Sequence, residues 1–278
     1  MRAALANADP GGEAEQLGEL LARVRDAQGE IQVYGHGSLR TLTFGNAVEQ
    51  SRIDLDHPER LVHVYTRAML LGLLLAARPT RALVLGLGGG SLVQALLAAD
   101  PLLAVDACEA RALVVEVALE HLALPRSERL EVCVADALAH VQTTTQRYDL
   151  ILADLYGAEG MHPDQDNSFF LRACGQCLRR GGLLVSNHWN GSFADSRRAQ
   201  TALASAFPGG LLHLHVAGGN SIGYAFPEAL PKLDPRALYG RAQALGLRLG
   251  IPLQPLARNL WRQNAETLQG RRRDLSRP

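Results

Sequence analysis

The stretch VLGLGGGSLVQALLAAD, residues 84–100, decides the fold. An apolar run leads directly into a glycine cluster, and the residues after the cluster have the apolar spacing of a helix. A strand, a glycine turn and a helix in this order form the repeating unit of a parallel sheet that carries helices on both faces. Ligands bind such sheets beyond the carboxyl ends of the strands, so the turn is a candidate binding site.

The same alternation continues along the chain. We expect strands at residues 82–87, 103–108, 130–135, 149–154 and 183–188. The segment GLLHLHVAGGNSIGYAF, residues 210–226, predicts two strands joined by a glycine turn, so that the sheet ends with an antiparallel strand. This count favours the Rossmann-like α/β fold of class I methyltransferases, with a mostly parallel seven-stranded sheet, over the six parallel strands of a dinucleotide-binding domain.

The regions outside this pattern divide the chain further. Residues 30–60 alternate in the manner of short antiparallel strands and predict a small β-hairpin layer. A helix over residues 59–77 is expected to lead into the sheet, and another is expected over residues 13–27. The predicted domains are an N-terminal extension at 1–29, the β-layer at 30–60, the main α/β domain with the glycine turn at 61–231 and a helical tail at 232–278.

Composition excludes several classes of function. Lys plus Arg and Asp plus Glu number 28 each, and aromatic residues make up 5%, so nucleic-acid binding is not expected. The longest apolar run, at residues 68–77, is about half of the ~20 residues that cross a bilayer, so no membrane association is expected. The first 16 residues lack the apolar core of a signal peptide, which predicts a cytoplasmic protein.

The cysteines and histidines do not suggest a metal site. Cys174 and Cys177 form a CxxC motif, but it lies within a helical pattern and has no second pair for zinc. Packed thiols are favoured there over a redox or metal site. The histidines are scattered along the chain, and His213 and His215 lie on a late strand. We therefore predict no metal.

The glycine turn carries the first candidate binding residues, Gly86, Gly88 and Gly90. Glycine permits a positive φ and lets a ligand approach the backbone closely. A pyrophosphate-binding GxGxxG motif needs a third small residue where Ser91 stands, and Ser91 matches it poorly. The turn therefore favours a nucleoside with an amino-acid tail over NAD, although a purely structural turn remains the alternative.

Acidic residues follow the next two predicted strands. Glu109, nineteen positions after Gly90, is placed to accept hydrogen bonds from ribose hydroxyls. Asp136 is placed to accept from an adenine amino group, and Ala137 offers a backbone amide to the ring. Each acid alone is also explained as a helix cap. Three such features at successive strand ends predict an adenosyl site.

Over residues 30–226 the chain resembles the spermidine synthase (polyamine aminopropyltransferase) family, a branch of the class I methyltransferase-like fold. Gln50 resembles the family's nucleoside-contacting glutamine, and Tyr65, in HVYTRAML, its active-site tyrosine. YDLILADLY is similar to the strand that delivers its catalytic aspartate, here Asp154. The resemblance implies that decarboxylated S-adenosylmethionine is the co-substrate, that an amine is the acceptor and that the protein is a homodimer.

The sequence departs from the family at positions that recognise substrate. The aspartate of the family's glycine turn is replaced by Ser91, and the His-Glu pair after the tyrosine is replaced by Thr66 and Arg67. The second acid of its Asp-x-x-Asp motif is replaced by Gly157. An ammonium group buried without a carboxylate carries a large desolvation penalty. These losses argue against a diamine, unless Asp164 or Asp166 supplies the missing charge, and Arg67 would repel a polyamine if it faced the pocket.

Three hypotheses follow. The first is an aminopropyltransferase-like enzyme in which Asp154 is the base and Tyr65 and Tyr156 orient the nucleophile. The second is a methyltransferase on the same scaffold that uses intact S-adenosylmethionine. The third is a non-catalytic nucleoside-binding relative. The alternative role of Asp154 is to cap its loop, and the alternative for Tyr65 and Tyr156 is packing at the rim of the site.

Overall fold

The computed structural model describes residues 17–46, 48–189 and 193–269, without the side chains of residues 164 and 193–196. The described residues form three sheets: a four-stranded antiparallel sheet near the N-terminus, a seven-stranded sheet that follows it and a two-stranded ribbon at residues 156–161. The fold class predicted from the sequence is confirmed.

The elements alternate through the middle of the chain. The strands are β1 (Glu19–Asp26), β2 (Gly29–His36), β3 (Leu39–Thr43), β4 (Glu49–Asp54), β5 (Arg81–Leu85), β6 (Ala104–Glu109), β7 (Leu130–Val134), β8 (Tyr148–Ala153), β9 (Tyr156–Gly157), β10 (Gly160–Met161), β11 (Leu178–Trp189), β12 (Gly210–His215) and β13 (Asn220–Phe226). The helices are α1 (Val64–Leu70), α2 (Gly72–Leu75), α3 (Ser91–Ala99), α4 (Ala112–His121), α5 (Ala137–Thr143), α6 (Ser168–Cys177), α7 (Phe193–Ala206), α8 (Pro235–Leu249), α9 (Leu253–Gln263) and α10 (Ala265–Leu268).

The large sheet has the order β12-β13-β11-β8-β5-β6-β7. Strands β11, β8, β5, β6 and β7 are mutually parallel, and β13 lies antiparallel between β11 and β12. From β5 the chain builds outward through β6 and β7, then returns to the other side of β5 with β8. The strand order therefore reverses between β5 and β8. Open α/β sheets bind ligands at such a topological switch point.

The N-terminal sheet is larger than the sequence predicted. The helix expected over residues 13–27 is wrong for its described part, because Glu19–Asp26 forms strand β1 and pairs with β2. Gly29, with a φ of 117°, closes the tight turn between the two strands, and Asp26 accepts a hydrogen bond from the Gln28 amide. Residues 13–16 lie outside the described residues.

The helix predicted over residues 59–77 begins later and is interrupted. It starts at Val64 as α1 and breaks at Leu71 before α2. The guanidinium of Arg67 donates to the carbonyls of Leu61 at 2.6 Å and Val62 at 2.8 Å, which holds the preceding segment in a non-helical conformation. Helices α8 to α10 lie in the part of the predicted tail that the structure describes, and residues 270–278 lie outside it.

Helix lengths bear on the membrane prediction. The longest helix, α8, has 15 residues, and none of the helices in the described part of the chain combines the length and hydropathy needed to cross a bilayer. The domain boundaries given above stay predictions.

Candidate active site

The glycine turn between β5 and α3 places its three glycines in different surroundings. Gly86, Gly88 and Gly90 all have positive φ, at 87°, 52° and 82°. A Cβ on Gly86 would lie 2.3 Å from the Asp154 carbonyl oxygen, and one on Gly90 would lie 2.7 Å from a Leu124 methyl group. At Gly88 the nearest atom would be 3.9 Å away. Packing within the protein therefore explains Gly86 and Gly90, whereas only Gly88 presents open backbone to a ligand.

Strand β4 brings the N-terminal sheet against this turn. A Cβ on Gly89 would lie only 2.7 Å from the Ser51 hydroxyl, so strand β4 and the glycine turn are in contact. Gln50 precedes Ser51 and is partly buried near the first end of β4. The structure thus brings the neighbour of Gln50, rather than Gln50 itself, against the turn. Ser91 begins α3 without a side-chain capping bond.

Glu109 ends β6 and lies against the turn. Its Oε2 accepts from the amides of Leu87 at 3.1 Å and Gly88 at 3.4 Å, and its Oε1 accepts from the Arg111 amide at 3.0 Å. Burial raises the pKa of the Glu109 carboxyl, and the three amide bonds act against that rise. A carboxylate has about four lone-pair sites, so one remains for a ligand hydroxyl.

Asp136 begins α5 at the end of β7. Its Oδ1 accepts from the Ala139 amide at 2.9 Å, which confirms the alternative explanation as a helix N-cap. The cap leaves Oδ2 available on an exposed side chain, with the buried Ala137 next to it. Both roles are therefore compatible at this position.

Asp154 follows β8, next to the glycine turn. Its Oδ1 accepts from Asn187 Nδ2 at 2.8 Å, and the Tyr65 hydroxyl donates to the same carboxylate. Burial raises the pKa of Asp154 to about 6, while these two hydrogen bonds limit the rise. Burial, and then the charge of Asp154, raises the pKa of Tyr65 well above its ordinary value. Asp154 is thus a carboxylate held ready to accept a proton near neutral pH.

The sequence analysis missed two amides that support Asp154. Asn187 is 1% exposed, and its Oδ1 accepts from Asn220 at 3.0 Å, so a relay from Asn220 orients the Asp154 carboxylate. Gln165 is fully buried, accepts from the Leu155 amide at 2.7 Å and donates to the Asn187 carbonyl. A buried amide in a predicted strand was the signal at Asn187, but nothing in the sequence pairs either amide with Asp154.

Tyr156 is held by the backbone of β11. Its hydroxyl accepts from the Trp189 amide at 2.7 Å and donates to the Asn187 carbonyl at 3.4 Å. Burial raises the pKa of Tyr156, and so does the charge of Asp154. The hydroxyl therefore lies near the candidate base but is committed to holding the loop after β8.

The charges considered for substrate binding are already paired. Arg67 binds main-chain carbonyls, as described above, so the structure does not support a pocket-facing role for it. Asp166 lies 3.1 Å from His188 and 3.5 Å from Arg198. Burial would raise the pKa of Asp166, but these two partners hold it below its ordinary value. Asp166 is not a free acid for an ammonium group, and the Asp164 side chain lies outside the description.

Comparison with known proteins identifies the family. The sequence model of the spermine/spermidine synthase domain matches residues 62–206, just over half of the chain. The chain belongs to the spermine/spermidine synthase family. This confirms the resemblance, and the matched span contains Tyr65, the glycine turn, Glu109, Asp136 and Asp154, but not Gln50.

Individual relatives of this spermine/spermidine synthase family member support the same assignment. A polyamine aminopropyltransferase of Neisseria meningitidis serogroup A is 29% identical over 84% of this chain and 90% of its own length. A spermidine synthase in complex with the transition-state analogue AdoDATO shares the fold, with a TM-score of 0.71 at 16% identity over 91% of this chain and 88% of that one. Human methyltransferase-like protein 13 in complex with SAH has a TM-score of 0.60 at 26% identity over 68% of this chain and 93% of that one.

Proposed function

We propose that this family member is a transferase that moves an aminopropyl group from decarboxylated S-adenosylmethionine to an amine. The observation that carries the proposal is Asp154, a desolvated carboxylate at the switch point of the sheet, hydrogen-bonded to Tyr65 and Asn187. Its curated relatives are named for aminopropyl transfer. A methyltransferase that uses intact S-adenosylmethionine is the second candidate, because of the likeness to methyltransferase-like protein 13.

The residues around the turn fit an adenosyl group. The uncovered backbone at Gly88 allows close approach, and Glu109 retains a lone pair for a ribose hydroxyl. The free Oδ2 of Asp136 suits the adenine amino group, with Ala137 beside the ring. Ser91 follows the turn directly, and Gln50 is next to Ser51, which contacts Gly89. These are the residues that we propose bind the nucleoside.

The chemistry asked of the protein is positioning and proton transfer. The donor supplies a carbon next to a sulfonium, and when the amine nitrogen bonds to that carbon the C–S bond breaks and its electron pair stays on sulfur. The nitrogen becomes acidic as the new bond forms, and Asp154 accepts its proton. Tyr65 fixes the orientation of the Asp154 carboxylate, and Tyr156 positions the loop that follows it.

The charges near Asp154 limit the acceptor. Gly157 stands where the family has a second acid, and Asp166 is paired with Arg198 and contacts His188. Glu49 is paired with Arg52 and lies 3.8 Å from His63. We therefore propose an acceptor whose far end carries less positive charge than that of a diamine. A cytoplasmic location and a homodimer also stay proposals.

The rate should depend on pH through Asp154. Because the base must be ionised, kcat is expected to rise as pH passes about 6 and then to level off. Tyr65→Phe removes a hydrogen bond that lowers the pKa of Asp154, so the midpoint should move to higher pH. Initial rates at saturating substrates across the pH range measure the shift. Tyr34→Phe, which removes a hydroxyl bonded to Gln32 in the N-terminal sheet, should leave the midpoint unchanged; equal midpoints in all three proteins would contradict this role of Tyr65.

Glu109→Gln should weaken nucleoside binding. Loss of a charge-assisted hydrogen bond is expected to lower the affinity for methylthioadenosine by about 10- to 100-fold. The variant should also melt at a lower temperature, because one oxygen facing the backbone amides becomes an NH₂ group. Calorimetric titration measures the affinity, and Glu116→Gln, on the exposed side of α4, is the matched control. Unchanged affinity in Glu109→Gln would remove Glu109 from the site.

A further inference from the structure

Three soft or borderline metal ligands meet where β6, β7 and α5 come together. Cys108 and Cys133 are register partners on the adjacent parallel strands β6 and β7. His140 lies on the second turn of α5 and faces Cys133, with 3.4 Å between Cys133 Sγ and His140 Nδ1. The ligand atoms of all three residues lie within 4.8 Å of one another. The sequence showed no such group, because 25 and seven positions separate its members.

These distances suit a tetrahedral ion. Zinc bonds of about 2.3 Å to sulfur and about 2.0 Å to nitrogen place neighbouring ligand atoms roughly 3.5–3.8 Å apart. The observed sulfur–nitrogen distance of 3.4 Å is therefore within a few tenths of an ångström of the bound geometry. Cys108 is 1% exposed, whereas Cys133 and His140 are only partly buried, so solvent approaches the cluster from their side.

The surroundings of the cluster are compatible with capture of a cation. The imidazole of His140 turns its Nδ1 toward Cys133 Sγ. Its Nε2 is buried and makes no hydrogen bond within the described residues. Asp106 and Glu131 add negative charge beside His140, and Arg81, which pairs with both, offsets part of it. The cluster therefore lies in surroundings that do not repel a cation.

We propose that Cys108, Cys133 and His140 bind one borderline or soft divalent cation, of which Zn²⁺ is the representative. Binding breaks two S–H bonds, releases two protons and forms two metal–thiolate bonds, so no oxidant or reductant is needed. The ion would connect β6 and β7 to α5. Two of its ligands flank Asp136 in the sequence, because Cys133 precedes it and His140 follows it. This proposal concerns a site separate from Asp154 and does not depend on which group the protein transfers.

Cobalt substitution tests the site directly. The full chain, stripped of metal and kept reduced with a phosphine, is titrated with Co²⁺, which reports thiolate ligands through near-ultraviolet charge-transfer absorption. We expect this band to saturate at one ion per chain, to disappear in Cys133→Ser and to need more than about tenfold higher Co²⁺ in His140→Gln. Cys177→Ser is the matched control, because that buried thiol donates to the Val141 carbonyl, which a hydroxyl also does. Its titration should equal that of the parent.

Either of two results would overturn the proposal. One is the absence of a thiolate band, for example if Co²⁺ binds only through the neighbouring rings of His213 and His215. The other is a band of the parent's intensity in folded Cys133→Ser. A second measurement needs no variant: Zn²⁺ should slow alkylation of Cys133 at least about tenfold, as followed by mass spectrometry, relative to the protein without metal. Equal alkylation rates with and without Zn²⁺ would also contradict the site.

Discussion

Asp154→Asn is expected to lower kcat by about 10²- to 10⁴-fold, the usual contribution of a positioned base. The asparagine keeps the size of the side chain and its oxygen can still accept from Asn187, so the pocket should retain its shape. The affinity for methylthioadenosine should therefore stay within about threefold of the parent. Single-turnover rates and calorimetric titration of the two proteins separate loss of the base from loss of binding.

The same variant should gain stability at neutral pH. The folded pKa of Asp154, about 6, lies above the ordinary 3.8, so ionisation weakens the folded state as pH rises through this interval. Removing the charge should stabilise the protein at pH 7 by on the order of 1–3 kcal/mol and have little effect below pH 4. The control is Asp149→Asn, at the other end of β8, where Oδ2 accepts from Thr80 and Arg81. That change should lower stability and spare kcat. Full activity in Asp154→Asn would contradict its role as the base.

Gly86→Ala is expected to destabilise the protein by about 3 kcal/mol or more. The new methyl group would lie 2.3 Å from the Asp154 carbonyl oxygen, on a backbone whose φ of 87° L-residues rarely adopt. Relief of this overlap requires β5 and the chain after β8 to separate, which would also displace the Asp154 carboxylate. Denaturant unfolding measures the loss of stability.

Gly88→Ala is the matched control for Gly86→Ala. Its φ of 52° lies in the left-handed region, and the nearest atom to a new Cβ would be 3.9 Å away. We expect a stability loss of only about 1 kcal/mol, together with weakened nucleoside binding because the methyl group covers the open backbone. If the two alanine variants lost equal stability and bound methylthioadenosine equally well, the division of roles within the turn would be wrong.

The parallel sheet was predictable because its signal is local. Each of its parallel strands is an apolar run followed by a helical pattern. Gly218 and Gly219 predict the turn of the terminal hairpin. A helix was predicted wrongly at residues 19–26 because ELLARVRD fits helical spacing as well as strand alternation. Two contacts stabilise the strand instead. It pairs with β2, and the Asp26 carboxylate binds Arg111 at 2.8 Å. Neither contact is visible in the local pattern.

The residues of the candidate site were also only partly predictable from the sequence. Glu109, Asp136 and Asp154 could be located because strand ends are readable from the sequence. Asn187 and Gln165 were not predicted, because their importance comes from hydrogen bonds to residues that are distant in the sequence. The Cys108 cluster escaped for a related reason, since register between two strands brings its thiols together.

The most direct test of the central claim is to identify the nucleoside product. The protein is incubated with decarboxylated S-adenosylmethionine, or separately with S-adenosylmethionine, and with a panel of monoamines and diamines, and products are analysed by mass spectrometry. Aminopropyl transfer with Asp154 as the base predicts amine-dependent formation of methylthioadenosine from the decarboxylated donor, reduced about 10²-fold or more in Asp154→Asn. Formation of S-adenosylhomocysteine from the intact donor, or bound donor with no product from any amine, would contradict it.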